Sequence, residues 1–197
     1  EFFDLAQRGK LDLFFLSGAQ IDREGNINLT AIGDYARPRV RLPGGAGSGM
    51  LYIMAKRVIL FKTDHSPRAF VPEVDFKTSA GVAPPNVHRP GGPAKVVTPL
   101  CIFAFDKQRQ HLVLESVHPG VTVEEVAANT GFALDTVGAV GVTAAPTRTE
   151  SSRSSSTGAT SFRSATTPTA VTIPGMKSSP TRRFRSRQAC CSFWGER

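Results

Sequence analysis

Short apolar runs, separated by glycine, proline and charged turns, set the pattern along most of this chain. Residues Phe2–Gln7 read as a short helix closed by Gly9. The run Leu11-Asp12-Leu13-Phe14-Phe15-Leu16 is short and aromatic, which predicts a buried strand ending at the small-residue turn Ser17-Gly18-Ala19. A reverse turn at Asp22-Arg23-Glu24-Gly25-Asn26 leads into an alternating strand over residues 27–32. Val40-Arg41-Leu42 reads as a further extended piece closed by Pro43-Gly44-Gly45, and residues 50–56 as a buried helix. Arg57-Val58-Ile59-Leu60-Phe61-Lys62 carries the continuous apolar signature of a central parallel strand.

Beyond it, residues 70–76 are expected to be extended, and the Gly/Pro-rich residues 80–95 to be a loop. Cys101-Ile102-Phe103-Ala104-Phe105 and His111-Leu112-Val113-Leu114-Glu115 flank five polar residues and predict a β-hairpin. Thr122 followed by Glu125 is a capping-box pattern. It predicts a helix over residues 123–129, with Gly131 as its C-terminal cap. Strands and helices mixed in this way give an α/β domain over residues 1–146. Residues 147–197 hold 11 Ser and 9 Thr with no helical or strand period, so they are expected to be a disordered tail. Either a genuine basic tail or a shifted reading frame past about residue 143 accounts for that segment.

Charge changes this picture only by its location. The formal net charge is +8, yet residues 1–146 hold 15 Lys+Arg against 14 Asp+Glu, and residues 147–197 hold 9 against 2. The basicity belongs to the tail and says little about what the domain binds. No apolar run reaches the length of a membrane span, and no partner in a membrane is expected. Cys101, Cys190 and Cys191 form neither a disulfide framework nor a metal pattern, so no metal site is expected and a cytoplasmic setting is the default. The opening Glu1-Phe2-Phe3-Asp4 has no methionine and no secretory pattern, and is read as a chain missing its beginning.

Four ordered stretches carry a resemblance. Gly18-Ala19-Gln20-Ile21-Asp22 with Gly25-Asn26-Ile27-Asn28 comes first, then Pro38-Arg39-Val40-Arg41-Leu42-Pro43-Gly44-Gly45. Val96-Val97-Thr98-Pro99-Leu100-Cys101-Ile102-Phe103 follows, and finally His118-Pro119-Gly120-Val121-Thr122 running through Glu124-Glu125-Val126 to Asn129-Thr130-Gly131-Phe132. Together they resemble the B subunits of class I, glutaconate-type CoA-transferases. The resemblance implies an α/β open sheet with flanking helices, of which this chain holds a part. It also implies an A-subunit partner, and acyl-CoA and coenzyme A as substrates rather than as a bound cofactor.

In that family a glutamate carboxylate attacks the thioester, and preorganised amides in small-residue turns receive the oxyanion. The family glutamate precedes the Gly18 stretch and is expected upstream of Glu1, so no catalytic residue is carried onto this chain. The substrate-binding residues implied here are Gly18 and Gln20 in one turn, and Gly44, Gly45 and Gly47 in another. The second turn departs from the family pattern, which carries an acidic residue that Gly44-Gly45-Ala46-Gly47-Ser48-Gly49-Met50 lacks. Ile59-Leu60-Phe61-Lys62-Thr63-Asp64-His65-Ser66-Pro67-Arg68 resembles a related subgroup, the CoA-dependent hydrolases that open a steroid-derived ring, and supplies the alternative activity.

Blander readings stand beside these. The glycines can form a simple flexible turn, and they lack the Gly-Lys-Ser/Thr ending of a P-loop. His65 beside Asp64 reads as a surface histidine, and His118 before Pro119 as shaping a helix entry. Glu124 and Glu125 suit the first turn of a helix through its dipole. Gln20 is the polar residue best placed for a ligand, because it follows a turn at a strand end. A third reading, nucleic-acid binding through Arg182-Arg183-Phe184-Arg185-Ser186-Arg187, has clustered arginine but no accompanying motif.

Overall fold

The computed structural model describes residues 1–147. The expectations for the Ser/Thr/Arg-rich tail and its arginine cluster therefore fall outside the described residues. Within them, three short helices, α1 (Phe2–Gln7), α2 (Ser48–Met54) and α3 (Val123–Ala128), accompany ten strands. Six strands form one sheet in the order β1 (Leu13–Leu16), β6 (Arg57–Phe61), β7 (Pro93–Val97), β8 (Cys101–Asp106), β9 (His111–Val117) and β10 (Thr136–Val142). The strands β1, β6 and β7 run parallel, β8 and β9 form the antiparallel hairpin, and β10 lies parallel to β9. Two small antiparallel pairs complete the α/β domain: β2 (Gln20–Ile21) with β3 (Ile27–Asn28), and β4 (Ala31–Ile32) with β5 (Val40–Arg41).

The core lies on one face of the sheet. Val58, Leu60, Val96, Phe103, Leu112 and Leu114 meet Tyr52, Phe70 and Val126 there, all nearly or wholly buried. Each fully buried aromatic ring contributes about 2–3 kcal/mol relative to exposure. Thr122 caps α3 by accepting the Glu125 amide at 3.2 Å, as the Thr-x-x-Glu pattern predicts.

Several expectations are corrected. The strand β1 is an edge strand among the described residues, and its alternation shows one face uncovered: Leu13 and Phe15 are exposed, Phe15 at 57%. In β6, parallel on both sides, only alternate residues are buried, and Phe61 lies exposed on the same uncovered side. The expected strand over residues 27–32 breaks into β3 and β4, since the Asn28 side chain takes the amides of Thr30 and Ala31 out of any ladder. Residues 70–76 make no strand beyond the bridge of Phe70 to Ile21. The loop is shorter than expected because Pro93 already pairs with Val58. The stretch over residues 96–103 that carries part of the resemblance is divided between two strands, β7 and β8, turned at residues 98–100 by the Thr98 hydroxyl accepting the Leu100 and Cys101 amides. Gly131 is not the cap of α3: Asn129 holds that position with φ −99°.

Candidate functional site

Three parallel strands bring their carboxyl ends to one edge: β1 ends at residues 17–19, β6 at residues 62–66 and β7 at residues 98–100. Open α/β sheets present ligands at such an edge. The first turn is held from three directions. The Ser17 hydroxyl donates to the Phe61 carbonyl at 2.8 Å, the Ala19 amide to the Asn28 carbonyl at 2.8 Å, and Lys62 Nζ to the Gly18 carbonyl at 3.0 Å. Gly18 is buried, and its amide has no hydrogen-bond partner among the described residues. A Cβ at Gly18 would stand 3.0 Å from the Gln20 carbonyl oxygen, so a side chain there crowds the turn.

Lys62 went unnoticed in the sequence because it looks like the polar end of an apolar run. Its side chain is only 11% exposed, and its ammonium also meets Asp64 at 3.1 Å. That hydrogen bond from Lys62 holds the Asp64 carboxyl below the usual carboxylate range. A compact cation thus sits at the carboxyl edge, neutralised on one side and bound to the Gly18 peptide on the other.

Gln20 is where the strand-end argument put it, but its carboxamide faces inward. Oε1 accepts from Asn28 Nδ2 at 2.7 Å and from the Asp75 amide at 3.1 Å, while Nε2 donates to Asp75 Oδ2 at 3.1 Å. Only one Nε2 hydrogen remains for any ligand. The second turn is tied to the same segment, with the Gly44 amide donating to the Leu29 carbonyl at 2.8 Å. The turns of Gly18 and Gly44 are therefore brought together through residues 28–29. Gly45 and Gly47 face side chains closely: a Cβ would come within 2.6 Å of Thr78 Cγ2 and 2.4 Å of the Phe3 ring, respectively, and either side chain would have to turn aside to admit it.

His65 is corrected from a surface residue to a half-buried hub. Its ring stacks on Phe70 at 4.4 Å between centroids, with Nδ1 2.9 Å from Thr98 Oγ1 and Nε2 3.0 Å from Thr130 Oγ1. It joins the ends of β6, of β7 and of α3, and His118 Nε2 donates to the Thr98 carbonyl at 2.8 Å beside it. Thr130 donates its one hydroxyl proton to the Val126 carbonyl at 2.7 Å, so it receives Nε2–H from the ring, while the single Thr98 hydroxyl proton is shared between the Cys101 carbonyl at 3.1 Å and the ring's Nδ1 at 2.9 Å. Cys101 Sγ lies 3.9 Å from Nδ1, but burial pushes its thiol up to about 11, which excludes a thiolate–imidazolium pair.

Burial pulls His65 down to about 4 from 6.5, against a smaller opposing pull from Asp64. The folded value is depressed, so the contribution to stability is complete above pH 6.5 and is lost as pH falls towards 4. Discounted for the partial exposure of the ring, the loss is about 2 kcal/mol. Urea unfolding across that window is expected to show the loss in the wild type and its absence in His65→Gln. Equal pH slopes for the two proteins would refute it.

Among the described residues, no three His, Cys, Asp or Glu side chains converge as a metal site, and no helix is long and apolar enough to cross a membrane.

Comparison with known proteins gives this geometry its setting. The family model described as coenzyme A transferase matches residues 1–129. The B subunit of 3-oxoadipate CoA-transferase from Pseudomonas knackmussii is 44% identical over 151 residues, covering 73% of this chain and 57% of the relative. The crystal structure of glutaconate coenzyme A-transferase from Acidaminococcus fermentans superposes with a TM-score of 0.67 at 32% identity, over 77% of this chain and 60% of that one. The cholesterol ring-cleaving hydrolase IpdB subunit of Rhodococcus jostii is 32% identical over 75% of this chain and 59% of its own length. The chain thus spans a little over half the length of these relatives. With a family match over most of the described residues and 44% identity to one chain of a CoA-transferase, this chain belongs to the coenzyme A transferase family.

Proposed function

We propose that this chain is part of the B subunit of a heteromeric CoA-transferase, which moves coenzyme A between an acyl-CoA and a carboxylic acid and works beside an A subunit. The observation that carries the reading is the carboxyl edge of β1 and β6, where the unpartnered Gly18 amide lies in a turn fixed by the nearly buried Lys62. Attack of a carboxylate on a thioester gathers negative charge on the former carbonyl oxygen, and a fixed amide donor stabilises that charge without reorganising. Gly18 supplies the amide in this reading, Gln20 braces the turn from within, and the turn of Gly44, Gly45 and Gly47 forms the adjoining wall. Coenzyme A is a substrate here, and no resident cofactor is invoked. We place the activity in the cytoplasm, in keeping with the free buried thiol of Cys101.

The attacking carboxylate is assigned to a glutamate outside these 197 residues. Two measurements test the reading. The isolated chain is expected to show no turnover with acyl-CoA, and the complete B subunit with its A subunit is expected to transfer coenzyme A to an added carboxylic acid. Turnover by the isolated chain would sink the assignment of the nucleophile. Thioester-dependent ring opening by the complex, without any acceptor acid, would favour the hydrolase relatives over the transferases.

A further inference from the structure

The opposite end of the sheet, where β6 and β7 begin, opens into a cavity of about 320 Å³. Its walls are the start of β6, residues 81–93 and the turn of the β8–β9 hairpin, with Val82, Val87 and Phe105 as apolar lining and no carboxylate among the lining residues. Four cations line it. Lys56 is paired with Asp12 at 2.6 Å, whereas Arg57, Arg89 and Lys107 have no ion-pair partner among the described residues.

Arg89 is the unusual member. Its guanidinium donates Nε to the Gly91 carbonyl at 3.1 Å, Nη1 to the Ala80 carbonyl at 2.6 Å and Nη2 to the Tyr52 carbonyl at 3.3 Å. It also lies over the Tyr52 ring, 5.2 Å from the centroid. These contacts fix its position and leave two N–H groups unspent, one on each terminal nitrogen. None of them neutralises its charge. Tyr52 cannot do so, because burial drives its hydroxyl far above the ordinary range and keeps it protonated. A half-buried cation without a counter-ion is costly to keep, and burial correspondingly lowers the proton affinity of Arg89.

Arg57 and Lys107 are solvated and Arg57 also feels the Asp12 carboxylate, so the half-buried Arg89 is the cation here without a counter-charge among the described residues, and the other two add to the positive potential of the cavity mouth. A planar guanidinium matches phosphate oxygens in a fork. The apolar wall of Val82, Val87 and Phe105 would cover an organic portion of the same molecule. From Arg89, Arg57 and Lys107 together we infer that this cavity binds a phosphate-bearing organic anion, with its phosphates on the three cations and its organic part against Phe105.

Pyrophosphate titrated into the 197-residue chain in a calorimeter tests the anion part. One saturable site is expected, weakening steeply with added salt and binding citrate at least about tenfold less tightly. Arg57 and Lys107 are both exposed, so Arg57→Ser and Lys107→Ser leave the fold intact, and each is expected to weaken pyrophosphate by about tenfold. The same variants separate this site from binding to the basic tail, which they leave untouched. No saturable binding, equal affinity for citrate, or affinity unchanged in both variants would overturn the proposal. ADP and coenzyme A, each titrated in competition with pyrophosphate, test the organic part. Displacement by either supports it and identifies the source of the phosphates, and displacement by neither overturns it.

Discussion

Gly131→Ala is expected to cost about 3 kcal/mol, read as a lower urea midpoint at an unchanged slope. The residue sits where the chain leaves α3, and its amide donates to the Phe70 carbonyl at 2.7 Å. An added Cβ would stand 2.4 Å from that carbonyl oxygen and 3.2 Å from Val71 Cα. Both obstacles are backbone, so the crowding cannot be relieved by turning a side chain. Either the segment after α3 moves away, losing the hydrogen bond, or the Phe70 strand-like segment moves and disturbs a fully buried ring in the core. Gly120→Ala supplies the contrast. Gly120 has φ +84° with nothing within 4 Å of a Cβ, so it charges only the left-handed backbone strain, about 1 kcal/mol. Equal losses in the two variants would mean that close approach is not what demands glycine at 131.

That pair also shows what the sequence could and could not convey. Local signals were readable: the Thr122 cap, the β8–β9 hairpin and the apolar run of β6 all depend on neighbours a few residues away. Gly131 was misread as a helix cap, because the reason for glycine lies some sixty residues earlier, at Phe70, and leaves no local trace. The strand β10 was missed for a similar cause: Thr-Val-Gly-Ala-Val-Gly-Val has little bulk and gains its order from pairing with β9. The uncovered face of the sheet was equally invisible, so the aromatic run of β1 looked buried although Leu13 and Phe15 lie on an open face. At the site, the turn of Gly18 was singled out through the family resemblance, and it lies directly after β1. Lys62, Asp75 and His65 were not, because each acquires its role from a partner on another segment.

Asn28→Asp is expected to cost about 4 kcal/mol at neutral pH, although it replaces one atom by another of almost equal size. Asn28 is fully buried. Its Nδ2 donates to Gln20 Oε1 and to the Ala31 carbonyl, each at 2.7 Å, while its Oδ1 accepts the Thr30 and Ala31 amides at 2.9 and 3.3 Å. A carboxylate keeps the two accepted bonds but turns an oxygen towards two other acceptors, with no cation in contact. Rotating the Gln20 amide would offer it a donor, yet would set Oε1 against Asp75 Oδ2 and Nε2 against the Asp75 amide. The other escape is a proton. The introduced carboxyl would then titrate above its unfolded value of about 3.9, so the variant recovers stability as pH falls through that raised value. Asn28 itself does not titrate, so the gap between the two proteins is expected to narrow from neutral pH towards about pH 4. Denaturation curves for both across that range decide the point. A gap below about 1 kcal/mol that does not change with pH would mean that the Gln20 amide turns freely. Gln20 would then be available to a substrate, as the sequence alone proposed, and would no longer be the brace of the Gly18 turn.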